Sequence, residues 1–180
     1  MPKLNLSFQN REFSLYHLPY RVSKQELEER ARVPNTISYV DPEEVKTYET
    51  GLCILVGGSG EPTWQAFFSS STDNDAACLI WQEIQLVVLG YGNRVYALNM
   101  DDGHLSWSLD TDYPIWNLLF SPHRDTLFVQ DEVELIQLNE RGQEIWSYTH
   151  SDVISRVRVE EDHLVLSDLS GNEKRVVYKR

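Results

Sequence analysis

Apolar and polar residues alternate through KLNLSF (3–8) and again through EFSLY (12–16), with the turn-prone QNR between them. A period of two puts alternate side chains on opposite faces of a strand, so this pattern predicts a short hairpin. The period then changes. In SKQE the hydroxyl of Ser23 stands three residues before Glu26, the reciprocal arrangement of a capping box, and helix formers run on to about Arg32 before Pro34. ISYV (37–40) reads as a strand. In DPEEVKTYETG, Asp41 is placed to cap, Pro42 sits in the first turn and Gly51 terminates, which predicts a second short helix. LCILV (52–56) follows as a buried strand.

From Thr63 onward no helical period survives. Apolar runs of strand length are separated by Gly, Asp, Asn and Pro, which predicts an all-β remainder. The division expected is an N-terminal α+β part over 1–62, carrying the two helices and packed on the repeats, and propeller-blade-like β repeats over 63–180, the whole forming one compact unit. The polar stretch SSSTDND (69–75) is the best exposed loop or boundary.

The second part repeats itself. QLVVLGYGNRVYALNMDDGHLSWS is followed by DTLFVQDEVELIQLNERGQEIWS, each reading as two strands, a turn and a third strand. Gly103 matches Gly142 and Trp107 matches Trp146 at one common interval, while Leu98 to Leu138 is one residue longer, so the second copy has a turn shortened by one. DHLVLSDLSGNEKRVVYKR forms a third, partial copy. IWNLLFSP and ISRVRVEE each supply a further strand ahead of a copy, which makes units of four strands.

VYALNMDDGHLSWS resembles the repeat of quinoprotein-type (PQQ-like) β-propellers, through Ala97, Asn99, Gly103 and Trp107; ELIQLNERGQEIWS repeats the match through Asn139, Gly142 and Trp146. The resemblance covers about the last hundred residues. It implies a mainly β fold, an incomplete propeller-like array of about three four-stranded antiparallel units. No residues match the family's quinone or cation contacts, so the resemblance implies a fold and not an activity. The third unit lacks a fourth strand, and KLNLSF is the strand expected to complete it, pairing near VVYKR. The two Trp are expected to fill the space between sheets.

Composition narrows the partners. Acidic residues number 28 against 16 basic ones, a formal net charge of −12, which disfavours phosphate backbones and anionic lipid surfaces. No apolar run has the length of a signal peptide core or a membrane span. Cys53 and Cys78 both lie in apolar runs, the setting of reduced, buried thiols, and a cytoplasmic location is expected.

Catalytic chemistry is hard to find. VGGSGEP (56–62) lacks the Lys and Ser or Thr of a P-loop, and Glu61 stands where a nucleophile elbow around Ser59 needs Gly. His17, His104, His123, His150 and His163 are dispersed, with no spacing of a metal site. Asp110 and Asp112 alternate on a strand end, which suits acid and base work geometrically but equally suits a solvated edge. No catalytic, cofactor or metal residue is assigned.

The expected function is a non-catalytic protein-interaction module that presents acids, Asp101, Asp102, Asp110 and Asp112, to a protein partner, with immunity-type binding of a basic protein as one version. The alternatives are a carbohydrate binder or glycan hydrolase, and a structural subunit that joins others, or copies of itself, through unfinished sheet edges.

Overall fold

The computed structural model describes residues 4–8, 11–18, 24–30, 32–39, 50–57, 62–70, 72, 74–121 and 125–179. These contain four sheets. The first is built from β1 (Leu4–Phe8), β2 (Arg11–His17), β3 (Thr36–Tyr39), β4 (Thr50–Gly57) and β5 (Pro62–Ser70), with one helix, α1 (Lys24–Arg30), between β2 and β3. Its strand order is β1-β2-β4-β5-β3. Four of these strands form an antiparallel meander, and β3 joins the edge parallel to β5. The period of two explains the burial: Phe13 and Leu15 of β2, Ile54 and Val56 of β4, and Trp64, Ala66 and Phe68 of β5 all face the core. Helix α1 holds its one face by an i,i+4 pair, Arg30 to Glu26 at 2.8 Å, and sets the Arg30 guanidinium 5.2 Å from the Phe67 ring centroid.

The chain divides into two compact units. Unit 1 comprises Met1–Asp73 together with Leu98–Leu105, and unit 2 comprises Asn74–Ala97 and Ser106–Arg180. The expected boundary after residue 62 is therefore corrected, because β5 begins at Pro62 and its backbone bonds belong to β4.

The remaining sheets are β6 (Ala77–Trp81) to β9 (Leu105–Asp110), through β7 (Leu86–Tyr91) and β8 (Arg94–Asn99); β10 (Asn117–Ser121) to β13 (Glu144–Thr149), through β11 (Thr126–Gln130) and β12 (Glu134–Leu138); and β14 (Ile154–Val159), β15 (Leu164–Asp168) and β16 (Glu173–Val176). Two have four strands and the last has three, each in sequence order. The two four-stranded repeats and the partial third are thus the units that the sequence pattern predicts.

Packing within unit 2 explains why the central strands read as unbroken apolar runs. On β11 and β12, Leu127, Val129, Ile136 and Leu138 join Trp81, Val88 and Val95 in one core, while Phe128 and Leu135 point the other way and join Ile154, Leu164, Leu166 and Tyr178. A sheet buried on both faces has no solvent side to encode. Phe128 and Tyr178 meet edge to face with centroids 4.9 Å apart.

One expectation is corrected here and one falls outside the described residues. KLNLSF pairs with β2, Leu4 opposite Leu15 through Phe8 opposite Arg11, and β16 has only β15 beside it among the described strands, so the N-terminal strand does not complete the last sheet. The hairpin's own turn is short enough to pair first, with little loop-closure cost. The meander of the first sheet has the strand order of the later sheets, with α1 and β3 inserted between its second and third strands. The second expected helix, 41–51, lies almost wholly outside the described residues.

Candidate functional site

Two ends of the sheets carry different chemistry. At one end, a tryptophan from the last strand of a sheet lies on a turn glycine. In unit 1, Trp64 of β5, 2% exposed, donates its indole N–H to Met100 O at 3.1 Å, and its ring covers Gly103. Gly103 has φ +75°, and an added Cβ would lie 2.5 Å from Trp64 Cε3. In unit 2, Trp107 of β9 donates to Glu140 O at 3.0 Å and covers Gly142, φ +72°, where an added Cβ would lie 2.5 Å from Trp107 Cε3. Met100 and Glu140 each follow the turn's asparagine, Asn99 or Asn139, and in both turns the glycine N–H donates to that asparagine's carbonyl. The shorter second turn keeps these bonds, so the missing residue is absorbed by the loop.

Unit 1 reinforces its lock. Arg11 donates to Met100 O at 2.8 Å and pairs with Asp101 at 2.6 Å, and the Tyr39 hydroxyl donates to Gly103 O at 2.8 Å. Burial, followed by the nearby Asp102 carboxylate, pushes Tyr39 up to about 12. Trp107 and Trp146, expected to be largely buried between sheets, are partly buried: each packs against a core from the outer strand of its sheet, which leaves part of its surface open. Trp146 stacks on Tyr148, which lies under the Lys174 ammonium.

At the other end of unit 2, loops converge. The β9–β10 link folds on the β7–β8 turn, with Thr111 N donating to Asn93 O at 2.8 Å and Ile115 N to Gly92 O at 2.8 Å. Trp116 N donates to Gln130 O at 2.8 Å, which brings the link against the β11–β12 turn; His150 N and Ile154 N reach Val133 O and Glu132 O of that same turn. Asp131, 1% exposed, organises the turn: its Oδ1 accepts from Val133 N at 2.9 Å and from Glu134 N at 2.7 Å. Its Oδ2 is buried with no hydrogen-bond partner among the described residues. Burial is the first cause holding Asp131 above the usual carboxylate range, with Asp112 and Glu132 adding repulsion; Glu134 is raised likewise by burial and then by Asp131, Glu144 and Asp112.

These loops leave two aromatic rings in solvent. Tyr113 is 46% exposed and Trp116 45% exposed, on the link that carries Asp112, whose carboxylate acts on Asp131 and Glu134. Pro114 and the buried Ile115 between them stiffen the link, since Ile115 packs against Gly90, where a Cβ would lie 2.6 Å from its Cγ2.

The four acids singled out from sequence do not form one surface. Asp101 and Asp102 lie in the β8–β9 turn of unit 1, where Asp101 pairs with Arg11 and Asp102 Oδ1 accepts from His104 N at 3.0 Å. Asp110 and Asp112 lie at the far end of β9; Asp110 is held by Arg94, and Asp112 alone joins the converging loops. Sequence reading missed Tyr113, Trp116, Asp131 and Glu134. Trp64 was missed as a repeat residue, although Gly60 precedes it by the interval that separates Gly103 from Trp107. Of the two thiols, only Cys78 falls among the described side chains; burial pushes it up to about 12. Among the described residues no helix is long and apolar enough to cross a membrane.

Against known proteins, residues 24–152 match the family model described as outer membrane protein assembly factor BamB. The match reaches into the first sheet, so the repeat is not confined to the last hundred residues. The crystal structure of BamB from Moraxella catarrhalis is similar at 13% identity and a TM-score of 0.55, over 97% of this chain and 42% of that one. A chain of the mitotic checkpoint complex is similar at 16% identity and a TM-score of 0.54, over 72% of this chain and 46% of that one. The chain thus spans less than half the length of either. Among curated proteins none matches.

Proposed function

The chain belongs to the family described as outer membrane protein assembly factor BamB, and from that membership and the chemistry of the loops we propose that it is a non-catalytic protein-interaction module. The observation that carries the reading is the pair of exposed rings, Tyr113 and Trp116, on a stiffened link that also carries Asp112, one of the carboxylates repelling Glu134. Tyr and Trp provide contact area at low entropic cost, and exposed rings on a rigid scaffold are what interfaces use as anchors. The carboxylates of Asp112, Glu132 and Glu134 select a partner segment carrying Lys or Arg next to an apolar side chain, and the net charge of −12 steers its approach. The family's name speaks of protein assembly, which agrees with a protein partner for this chain.

Affinity capture from the source cell, run in parallel with the natural chain, Tyr113→Ser/Trp116→Ser and Asp101→Asn, tests this. The expected result is a protein retained by the natural chain and by Asp101→Asn, lost from the double variant, and released by moderate salt. A capture profile identical for all three would overturn it.

A further inference from the structure

Strand β16 has β15 on one side and no strand on its other side among the described residues. Its side chains divide cleanly. Val176 and Tyr178 are buried in the core with β14 and β15, and Lys174, on that same face, reaches over the Tyr148 ring at 5.1 Å from its centroid. Glu173, Arg175 and Val177 fall on the opposite face and are exposed, Val177 at 76%. Arg175 has no ion-pair partner among the described residues, whereas Glu173 has only Arg158, at 3.3 Å and itself half exposed.

An edge carrying charges usually discourages pairing. Here the order of charges is self-complementary about Lys174. If two β16 strands run antiparallel with Lys174 opposite its own copy, Glu173 of each faces Arg175 of the other. Faces are preserved in that register, since positions of like parity meet. The two Lys174 ammoniums already have the Tyr148 rings of their own copies to sit on.

We infer that β16 pairs with β16 of a second copy across a two-fold axis at Lys174, joining two three-stranded sheets into one of six. The contact is isologous and closes after two copies, and its main-chain hydrogen bonds supply affinity while the Glu173–Arg175 pairs set the register.

Sedimentation velocity on the full chain from about 1 to 200 µM tests the pairing. The expected result is a monomer–dimer equilibrium. Arg175→Glu, which sets carboxylates against each other twice, should weaken the dimer about tenfold or more, and Glu173→Arg/Arg175→Glu should restore it. Lys174→Cys should form an intermolecular disulfide on mild oxidation, its Cα atoms lying about 4.5–5.5 Å apart across the axis, whereas Leu169→Cys, at an exposed position of the preceding turn, should not. Melting temperatures of the variants show whether each still folds, and the charge swap reads the pairing even where one single variant does not. A chain that stays monomeric throughout, a dimer indifferent to Arg175→Glu, or equal cross-linking at positions 174 and 169 would each overturn the inference.

Discussion

Trp107 and Trp116 lie in one unit, nine positions apart, and do opposite things with the same side chain. Trp107 gives its indole N–H to Glu140 O and its ring to Gly142; its interaction capacity is used within the fold. Trp116 gives the fold only its backbone N–H, to Gln130 O, and leaves its ring in solvent. The difference comes from the turn each meets. A turn with a left-handed glycine has no Cβ to exclude an indole, whereas the β11–β12 turn is closed by the Asp131 carboxylate. A ring with a socket stabilises the fold, and a ring without one is available to a partner.

Breaking the sockets should have the largest effects. Trp64→Ala removes a fully enclosed ring from the reinforced lock of unit 1, with an expected loss of about 3–5 kcal/mol in chemical denaturation. Trp107→Ala, partly exposed and held by one hydrogen bond, should lose roughly 2 kcal/mol. Gly142→Ala forces a left-handed Cβ into the Trp107 ring, at about 1–3 kcal/mol. If the lock is one interaction, the two substitutions in unit 2 will not add in a double-mutant cycle; full additivity would mean that ring and glycine are independent.

A smaller effect concerns the acids at the loop end. Asp131 and Glu134 are raised in the fold, so the folded chain binds more protons than the unfolded chain just above the ordinary carboxylate range. Their charged forms oppose folding at neutral pH, and this penalty is relieved as pH falls through their raised values toward the unfolded ones. Asp131→Asn keeps an oxygen for Val133 N and Glu134 N, so it should flatten the pH dependence of stability in that window without lowering stability at neutral pH. Denaturation midpoints across the window check this; a large loss at neutral pH would show that the carboxylate charge itself supports the turn. The smallest effect on stability is expected at the ring without a socket, where Trp116→Ser should stay within about 0.5 kcal/mol of the natural chain while partner capture is lost.

Much of the architecture is legible along the chain, because unit 2 is made of local hairpins whose alternation and turn residues are written consecutively, as in β7–β8–β9 and β11–β12–β13. The first sheet was harder to recognise. Its meander is interrupted between β2 and β4 by α1 and β3, so the spacing that marks Gly60 and Trp64 as members of the repeat is detached from the strands that precede it. The candidate site was less legible still. Asp112, Trp116, Asp131 and Glu134 come from different loops, and only the backbone bonds of the β9–β10 link bring them together. An isolated run such as TDYPIW does not reveal which of its residues are buried; Ile115 is enclosed and its neighbour Trp116 is not.

If a partner docks on the loop end while the tryptophan locks hold the other end of the same sheets, amide hydrogen exchange on the complex with the captured partner will separate the two. Added protection is expected at residues 111–116 and 130–134, with the Gly142 turn at 139–143 exchanging as in the free chain. Protection centred on 139–143, with the loops around Trp116 unchanged, would contradict it.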